Sequence, residues 1–147
     1  MPPLTVVIVD DVPDFREIVR AILVDLPGGV TIVGEASDGE EAFTVVRRER
    51  PDIVITDLMM PRLDGVELTR RIRQELPLTM VVLMSSYPED AYRLMASDSG
   101  ADAVVSKRVI HDALVPAILD LIRRISGGSG PLPPGAGAPT DSAAWPK

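Results

Sequence analysis

Short apolar runs alternate with amphipathic segments along residues 1–125. The runs are rich in β-branched residues and lack polar alternation, a pattern typical of strands buried on both faces of a sheet. They predict five strands, at Leu4–Val9, Val30–Val33, Ile53–Ile55, Thr79–Met84 and Ala103–Val105. Between and after them, apolar residues at helical spacing predict five helices, which begin at Pro13, at Ser37 or Asp38, at Asp64, at Pro88 and at Ile110.

Five strands that alternate with five helices favour a parallel sheet with right-handed crossovers. The fold class predicted for residues 1–125 is therefore a doubly wound α/β domain with helices on both faces. The composition changes after Ile125, because residues 126–147 contain five glycines and five prolines and only Leu132 and Trp145 as large apolar residues. Such a segment buries too little apolar surface to offset its ordering entropy, so it is predicted to be a flexible tail. Trp145 is either a solvated aromatic residue or an anchor for a partner.

Charge and composition exclude several classes of function. A net charge of −7 and a pI of about 4.6 argue against binding nucleic acid through bulk positive charge. The absence of cysteine excludes disulfides and thiolate metal sites, and a single histidine, His111, excludes multi-histidine sites. No apolar run reaches the ~20 residues of a membrane-spanning helix, and the first residues do not resemble a secretory signal. The predicted location is the cytoplasm, with no direct contact to nucleic acid or membrane.

Polar side chains follow four of the five predicted strands, at the edge where parallel sheets bind ligands. They are Asp10 and Asp11 after the first strand, Asp57 after the third, Ser85 and Ser86 after the fourth, and Ser106 and Lys107 after the fifth. If the strand order is 2-1-3-4-5, the three aspartates converge. Oxygen ligands without histidine or cysteine suit Mg²⁺, which also binds phosphate groups. Lys107, the one lysine within residues 1–125, supplies a compact positive charge for phosphoryl oxygens.

Four sequence segments resemble the receiver domain of bacterial response regulators. They are Val7–Asp11, Ile55–Pro61 together with Asp64–Gly65, and Ser99–Lys107, in the order and at the spacing of that family. The resemblance covers roughly residues 4–125. It implies a CheY-like, flavodoxin-like (βα)5 fold with strand order 2-1-3-4-5, and a phosphorylated protein of a two-component phosphorelay.

The resemblance also implies a role for each site residue. Asp57 would be the phosphoacceptor; Lys107 would pair with the phosphoryl group and Ser85 would hydrogen-bond it. Asp10, Asp11, Asp57 and the backbone carbonyl of Met59 would hold Mg²⁺. The phosphoryl donor would be a sensor histidine kinase or a phosphotransfer protein. The chain would catalyse only its own phosphorylation and dephosphorylation, and a homodimer could form through the fourth helix, fifth strand and fifth helix.

Two positions depart from the family pattern. Val104 stands where the family usually has an aromatic switch residue, and Arg108 stands where it often has a proline after a cis peptide bond. The Lys107–Arg108 peptide is expected to be trans, because a non-proline cis bond costs ~3 kcal/mol. Neither change alters the phosphoacceptor chemistry, but both affect the surface expected to signal. Tyr87 is expected to line the mouth of the site, and His111 to be exposed.

Several functions are compatible with these residues. The leading hypothesis is a stand-alone receiver whose output is a phosphorylation-dependent protein contact. A degenerate receiver that only binds partners, and a receiver fragment of a longer DNA-binding regulator, are the alternatives. A Mg²⁺-dependent phosphohydrolase is disfavoured, because such enzymes want a second carboxylate two residues after the nucleophile, where this chain has Val12 and Met59.

Overall fold

The computed structural model describes residues 3–86 and 99–125, and these residues form a single sheet covered by helices. Five parallel strands lie in the order β2-β1-β3-β4-β5, which confirms the predicted fold class and strand order. The strands are β1 (Leu4–Val9), β2 (Val30–Ala36), β3 (Ile53–Asp57), β4 (Met80–Ser85) and β5 (Ala103–Ser106).

Helices join these strands as the sequence periodicity predicts. They are α1 (Pro13–Val24), α2 (Gly39–Glu49), α3 (Gly65–Glu75) and a helix at Ile110–Ile125, which follows a short 3₁₀ turn at Lys107–Val109. The side chains of Asp38 and Asp64 accept hydrogen bonds from the backbone N–H three residues on, as helix N-caps do. Asp38, one of the two caps left open by the sequence, is therefore the cap of α2. The predicted helix from Pro88 to Gly100 and the tail at 126–147 lie largely or wholly outside the described residues.

Alternate residues of the central strands point to opposite faces and build two cores. On one face, Val6 and Ile8 of β1 pack with α1 and the Ile110–Ile125 helix; on the other, Val7 and Val9 pack with α2 and α3. Strands with both faces covered by helices are buried throughout, which is why they read as unbroken apolar runs.

Four strands differ from their predicted bounds, and three of these differences concern the site. β3, β4 and β5 continue through Asp57, Ser85 and Ser106, so these polar residues end the strands rather than follow them. They were missed as strand residues because each is polar, yet each pairs with its neighbour strand at the last register position. β2 also continues three residues beyond Val33, to Ala36, because it pairs with β1 past an irregularity between Val6 and Val7.

Candidate functional site

Three aspartates meet at the carboxyl edge of the sheet, because β1 and β3 are neighbours. Val9 pairs with Thr56, so Asp10 and Asp57 are the next residues on adjacent strands. Carboxylate oxygens of Asp10, Asp11 and Asp57 all lie within 4.8 Å of one another. Asp10 is fully buried and Asp57 is 7% exposed, whereas Asp11 is exposed. The convergence expected from the sequence is present.

Lys107 reaches this cluster from the end of β5. Its Nζ lies 2.7 Å from Asp10 Oδ2 and 3.3 Å from Asp57 Oδ2, and its side chain is 13% exposed. Asp10 accepts a further hydrogen bond through Oδ1 from the Val12 N–H, at 2.9 Å. The one ammonium group thus contacts two of the three carboxylates. The three carboxylates carry more negative charge than this ammonium alone offsets.

Burial raises the pKa of the Asp57 carboxyl above its ordinary value of 3.8. The negative charge of Asp10 raises this pKa further, while the Lys107 ammonium and a hydrogen bond from the Met59 N–H lower it. Burial and the neighbouring carboxylate prevail, so ionisation of Asp57 is less favourable in the metal-free site than in a free aspartate side chain. A bound divalent cation would reverse that balance.

The donor set fits a small hard cation. Three carboxylates at one edge, one of them open to solvent, supply oxygen ligands and leave room for waters, as Mg²⁺ prefers. The described residues offer no histidine or cysteine there, which argues against zinc or a softer metal. Asp10, Asp11 and Asp57 are the residues that would hold Mg²⁺; the Met59 carbonyl remains a predicted ligand.

The loop after Asp57 is fixed by its backbone. The Leu58 N–H donates to the Met84 carbonyl of β4, and the Gly65 N–H donates to the Leu58 carbonyl, both at 2.8 Å. A Cβ at Gly65 would lie 2.3 Å from the Asp57 carbonyl oxygen, so only glycine fits where α3 begins. This close approach explains why the Asp64-Gly65 pair follows the phosphoacceptor candidate.

Burial separates the two candidate hydroxyl residues. Ser85 is fully buried at the end of β4, one position beyond Met84, which pairs with Asp57. Ser86 is exposed. Ser85, the residue chosen from the spacing, thus ends the strand beside Asp57, and its role as the site hydroxyl stays a prediction.

The two departures from the family pattern have clear structural settings. Val104 is 1% exposed and packs with Leu58 and Leu83 beneath the loop that follows Asp57. The Lys107–Arg108 peptide is trans, as expected, and the Arg108 N–H donates to Ser106 Oγ at 3.2 Å. His111 is exposed, as expected, and Tyr87 lies outside the described residues.

Arg16 is a residue of this site that the sequence did not reveal. Its Nη1 donates to the backbone carbonyl of Asp10 at 2.6 Å, and its Nε donates to Glu35 at 3.0 Å. Glu35, which is not among the polar strand-end residues predicted for the site, also pairs with Arg20. Glu35 thus holds Arg16 against the Asp10 backbone. No local sequence pattern indicates the Arg16–Glu35 pair, because the two residues lie 19 positions apart and meet only when β2 pairs with β1.

Comparisons with known proteins point in one direction. The sequence profile of the response regulator receiver domain matches residues 6–119. Protein-glutamate methylesterase/protein-glutamine glutaminase 3 of Hahella chejuensis is 42% identical over 106 residues, which are 71% of this chain and 30% of that protein. The probable transcriptional regulatory protein NarL of Mycobacterium tuberculosis is 39% identical over 117 residues, which are 78% of this chain and 53% of that protein.

Solved structures give the same result. The signal receiver domain of NarL from Mycobacterium tuberculosis superposes with a TM-score of 0.74 and 37% identity, covering 82% of this chain and 96% of that one. The response regulator domain of CheB from Thermotoga maritima gives 0.71 and 29%, covering 84% and 96%. The chain spans between about a third and about half of the length of these curated relatives. Among the described residues, no helix is long and apolar enough to cross a membrane.

Proposed function

Since this chain belongs to the response regulator receiver domain family, we propose that it accepts a phosphoryl group on Asp57 in the presence of Mg²⁺ and signals through phosphorylation-dependent protein contacts. The observation that carries the proposal is the buried Asp57 carboxylate, which shares one edge with Asp10, Asp11 and the Lys107 ammonium. We propose that the phosphoryl donor is a phosphohistidine of a sensor kinase or of a phosphotransfer protein. We also propose that the protein acts in the cytoplasm.

The chemistry requires little covalent work from the protein. An Asp57 carboxylate oxygen attacks the phosphorus atom, and the bond from phosphorus to the donor nitrogen breaks, with the electron pair leaving on that nitrogen. The product is an acyl phosphate on Asp57. Mg²⁺, when bound, neutralises phosphoryl oxygens and favours the ionised carboxylate. Hydrolysis follows when water attacks the phosphorus and the Asp57 carboxylate leaves.

The residues of the chain have separate roles in this proposal. Lys107 places a positive charge 3.3 Å from Asp57, where it meets the transferred phosphoryl oxygens and favours ionised Asp57. Arg16 fixes the Asp10 backbone, and thereby the direction of the metal-binding carboxylate. Gly65 lets α3 start directly behind the Asp57 carbonyl. The last two interactions position the site before any donor arrives.

Intact mass after incubation with phosphoramidate tests the proposal. We expect the wild-type chain to gain the mass of one phosphoryl group with Mg²⁺ and no such gain with EDTA. Asp57→Asn should show no gain. Asp52→Asn is the matched control, because Asp52 lies beside the opposite end of the same strand and contacts Thr5 instead. A folded wild-type chain that gains no mass, or a gain that persists in Asp57→Asn, would contradict the proposal.

A matched pair of serine variants tests the hydroxyl role. Ser85→Ala should slow phosphoryl acceptance by about 10- to 100-fold, the effect of one hydrogen bond to a charged group. Ser86→Ala should leave the rate within a factor of two, because Ser86 is exposed. Equal rates for both variants would remove Ser85 from the site. The measurement is the initial rate of mass gain at saturating Mg²⁺.

The proposal concerns the receiver itself and holds for a stand-alone protein and for part of a longer chain. Four points stay predictions from the sequence. They are the stand-alone arrangement, the dimer through the fourth helix, fifth strand and fifth helix, the end of the folded domain at Ile125, and the role of Trp145. A folded wild-type chain that takes no phosphate would favour the degenerate receiver, which binds its partners constitutively.

A further inference from the structure

The Lys107 ammonium has an aromatic neighbour as well as two carboxylates. Its Nζ lies 4.3 Å from the centre of the Phe15 ring, well inside the ~6 Å range of a cation–π contact. The same nitrogen contacts Asp10 and Asp57. The ammonium therefore contacts two carboxylates and the Phe15 ring at the same time.

Phe15 is fixed by the fold. It lies in the first turn of α1, where its backbone N–H donates to the Val12 carbonyl at 3.0 Å. Its half-buried ring packs against the core on the α1 face of the sheet. Because packing restrains the ring, the ring can restrain a flexible lysine.

A ring face suits this position chemically. A third carboxylate beside Lys107 would add negative charge to an edge that already carries three, and would compete with a phosphoryl group for the ammonium protons. An aromatic face attracts the cation without a lone pair that accepts its N–H groups, so these protons stay available to oxygen atoms. The chain has only two phenylalanines, and one of them takes this place.

We propose that Phe15 is a positioning residue, whose ring holds the Lys107 ammonium between Asp10 and Asp57 so that it meets the incoming phosphoryl oxygens. The inference rests on the proposed function for its kinetic consequence. The placement of the ammonium itself does not depend on that function. Two measurements therefore separate the two claims.

The first measurement is a nuclear magnetic resonance spectrum of protein labelled with ¹³C at the lysine ε-carbons. The chain has two lysines, so Lys147 is an internal reference for Lys107. The Lys107 ε-protons should be shifted upfield of those of Lys147 by the ring current of Phe15. Phe15→Leu should remove this shift and Phe15→Tyr should keep it. Absence of the shift in the wild-type chain would overturn the inference, whatever the chain does with phosphoryl donors.

The second measurement is a double-mutant cycle on the initial rate of phosphoryl acceptance from phosphoramidate at saturating Mg²⁺. Phe15→Leu should slow the wild-type chain by about 3- to 10-fold, and Phe15→Tyr should recover most of the rate. In a Lys107→Ala background, Phe15→Leu should cause no further loss. Equal slowing in both backgrounds would show that the ring acts through packing, and an unaffected Phe15→Leu rate would show that it has no role.

Phe43 provides a matched control. Its ring lies 5.4 Å from the Arg47 guanidinium and 5.7 Å from that of Arg71, on the other face of the sheet. Phe43→Leu removes the same atoms and a similar kind of contact, but touches no residue of the site. It should leave the Lys107 resonance in place; a shift as large as that of Phe15→Leu would contradict the proposal.

Discussion

At the amino edge of the sheet, Asp52 and Asp102 each meet their own donors, whereas at the carboxyl edge Asp10, Asp11 and Asp57 lie together and one ammonium contacts Asp10 and Asp57. Asp52 accepts from the N–H and the hydroxyl of Thr5, at 2.9 and 3.2 Å. Asp102 accepts from the Val81 N–H at 2.8 Å and pairs with Arg73. The same fold therefore satisfies each carboxylate with its own donors at one edge and gathers three carboxylates around one ammonium at the other.

The difference shows how stability and function are divided in this domain. Arg73 also donates to the carbonyls of Thr79 and Gly100, at 2.5 and 2.9 Å, so it ties α3 to the starts of β4 and β5. Polar groups of that kind satisfy one another and stabilise the fold. At the carboxyl edge, burial and the negative charge of Asp10 make the ionised form of Asp57 less favourable, and this is the cost of gathering carboxylates where a cation could bind.

The largest effect is expected from the backbone contact behind Asp57. Gly65→Ala would place a methyl group 2.3 Å from the Asp57 carbonyl oxygen and 3.0 Å from Leu58 Cα. We expect the free energy of unfolding to fall by about 3 kcal/mol, the upper part of the range for overpacking, and phosphoryl acceptance to fall with it. Urea denaturation measures the first quantity.

Gly29→Ala is the control for this variant. Gly29 has a φ of +84° but no atom closer than 3.9 Å to an added Cβ, so only backbone strain of about 1 kcal/mol is expected. Equal losses for the two variants would mean that the contact with Asp57 does not position the carboxyl edge.

At the amino edge, removing a carboxylate should destabilise the protein without touching the site. Asp102→Asn leaves Arg73 with carbonyl acceptors only and should lower the free energy of unfolding by about 2 kcal/mol. Phosphoryl acceptance by the folded variant should be unchanged. The exposed Asp25 serves as reference, since Asp25→Asn should change stability by about 0.5 kcal/mol or less. A folded Asp102→Asn protein that no longer accepts phosphate would break the division between the two edges.

At the carboxyl edge, removing a carboxylate should raise the free energy of unfolding in metal-free buffer, the opposite of the effect expected at the amino edge. Because the pKa of Asp57 is raised on folding, the folded state holds its proton to higher pH than the unfolded state does, and stability declines as pH rises through that window. Asp57→Asn lacks this decline. Its stability relative to the wild-type chain should therefore increase from acid to neutral pH, until the variant is the more stable protein. Urea denaturation in EDTA across that range measures it, and a difference that is flat or of the other sign would contradict the account.

Much of the fold could be predicted from the sequence, since the central strands are largely apolar runs, the described helices show their period, and α2 and α3 also show their caps. β1 has its predicted bounds, and the last helix begins at Ile110 as predicted. The predicted ends of β3, β4 and β5 are too early, because Thr56, Ser85 and Ser106 are polar and the local apolar pattern stops at the first polar residue. Pairing with a neighbouring strand, a tertiary effect, extends each strand through its functional residue.

The part of the candidate site that could be predicted is the set of polar residues at the ends of the strands. The gathering of Asp10, Asp11, Asp57 and Lys107 follows from strand order alone. The contacts of Arg16 and Phe15 could not be predicted, because both depend on how α1 lies across the edge of the sheet. The position of Phe15 in the helical period of α1 fits a core residue and gives no sign that its ring contacts Lys107.

The central claim is that the carboxyl edge carries an excess of negative charge that a divalent cation offsets. The most direct test is urea denaturation of the wild-type chain and of Asp57→Asn, each in EDTA and in Mg²⁺. We expect Mg²⁺ at about 100 times its dissociation constant to stabilise the wild-type chain by about 2.7 kcal/mol. The gain should be much smaller for Asp57→Asn, and in EDTA that variant should be the more stable protein. Equal Mg²⁺ gains for the two proteins, or a wild-type chain that is the more stable in EDTA, would contradict the account.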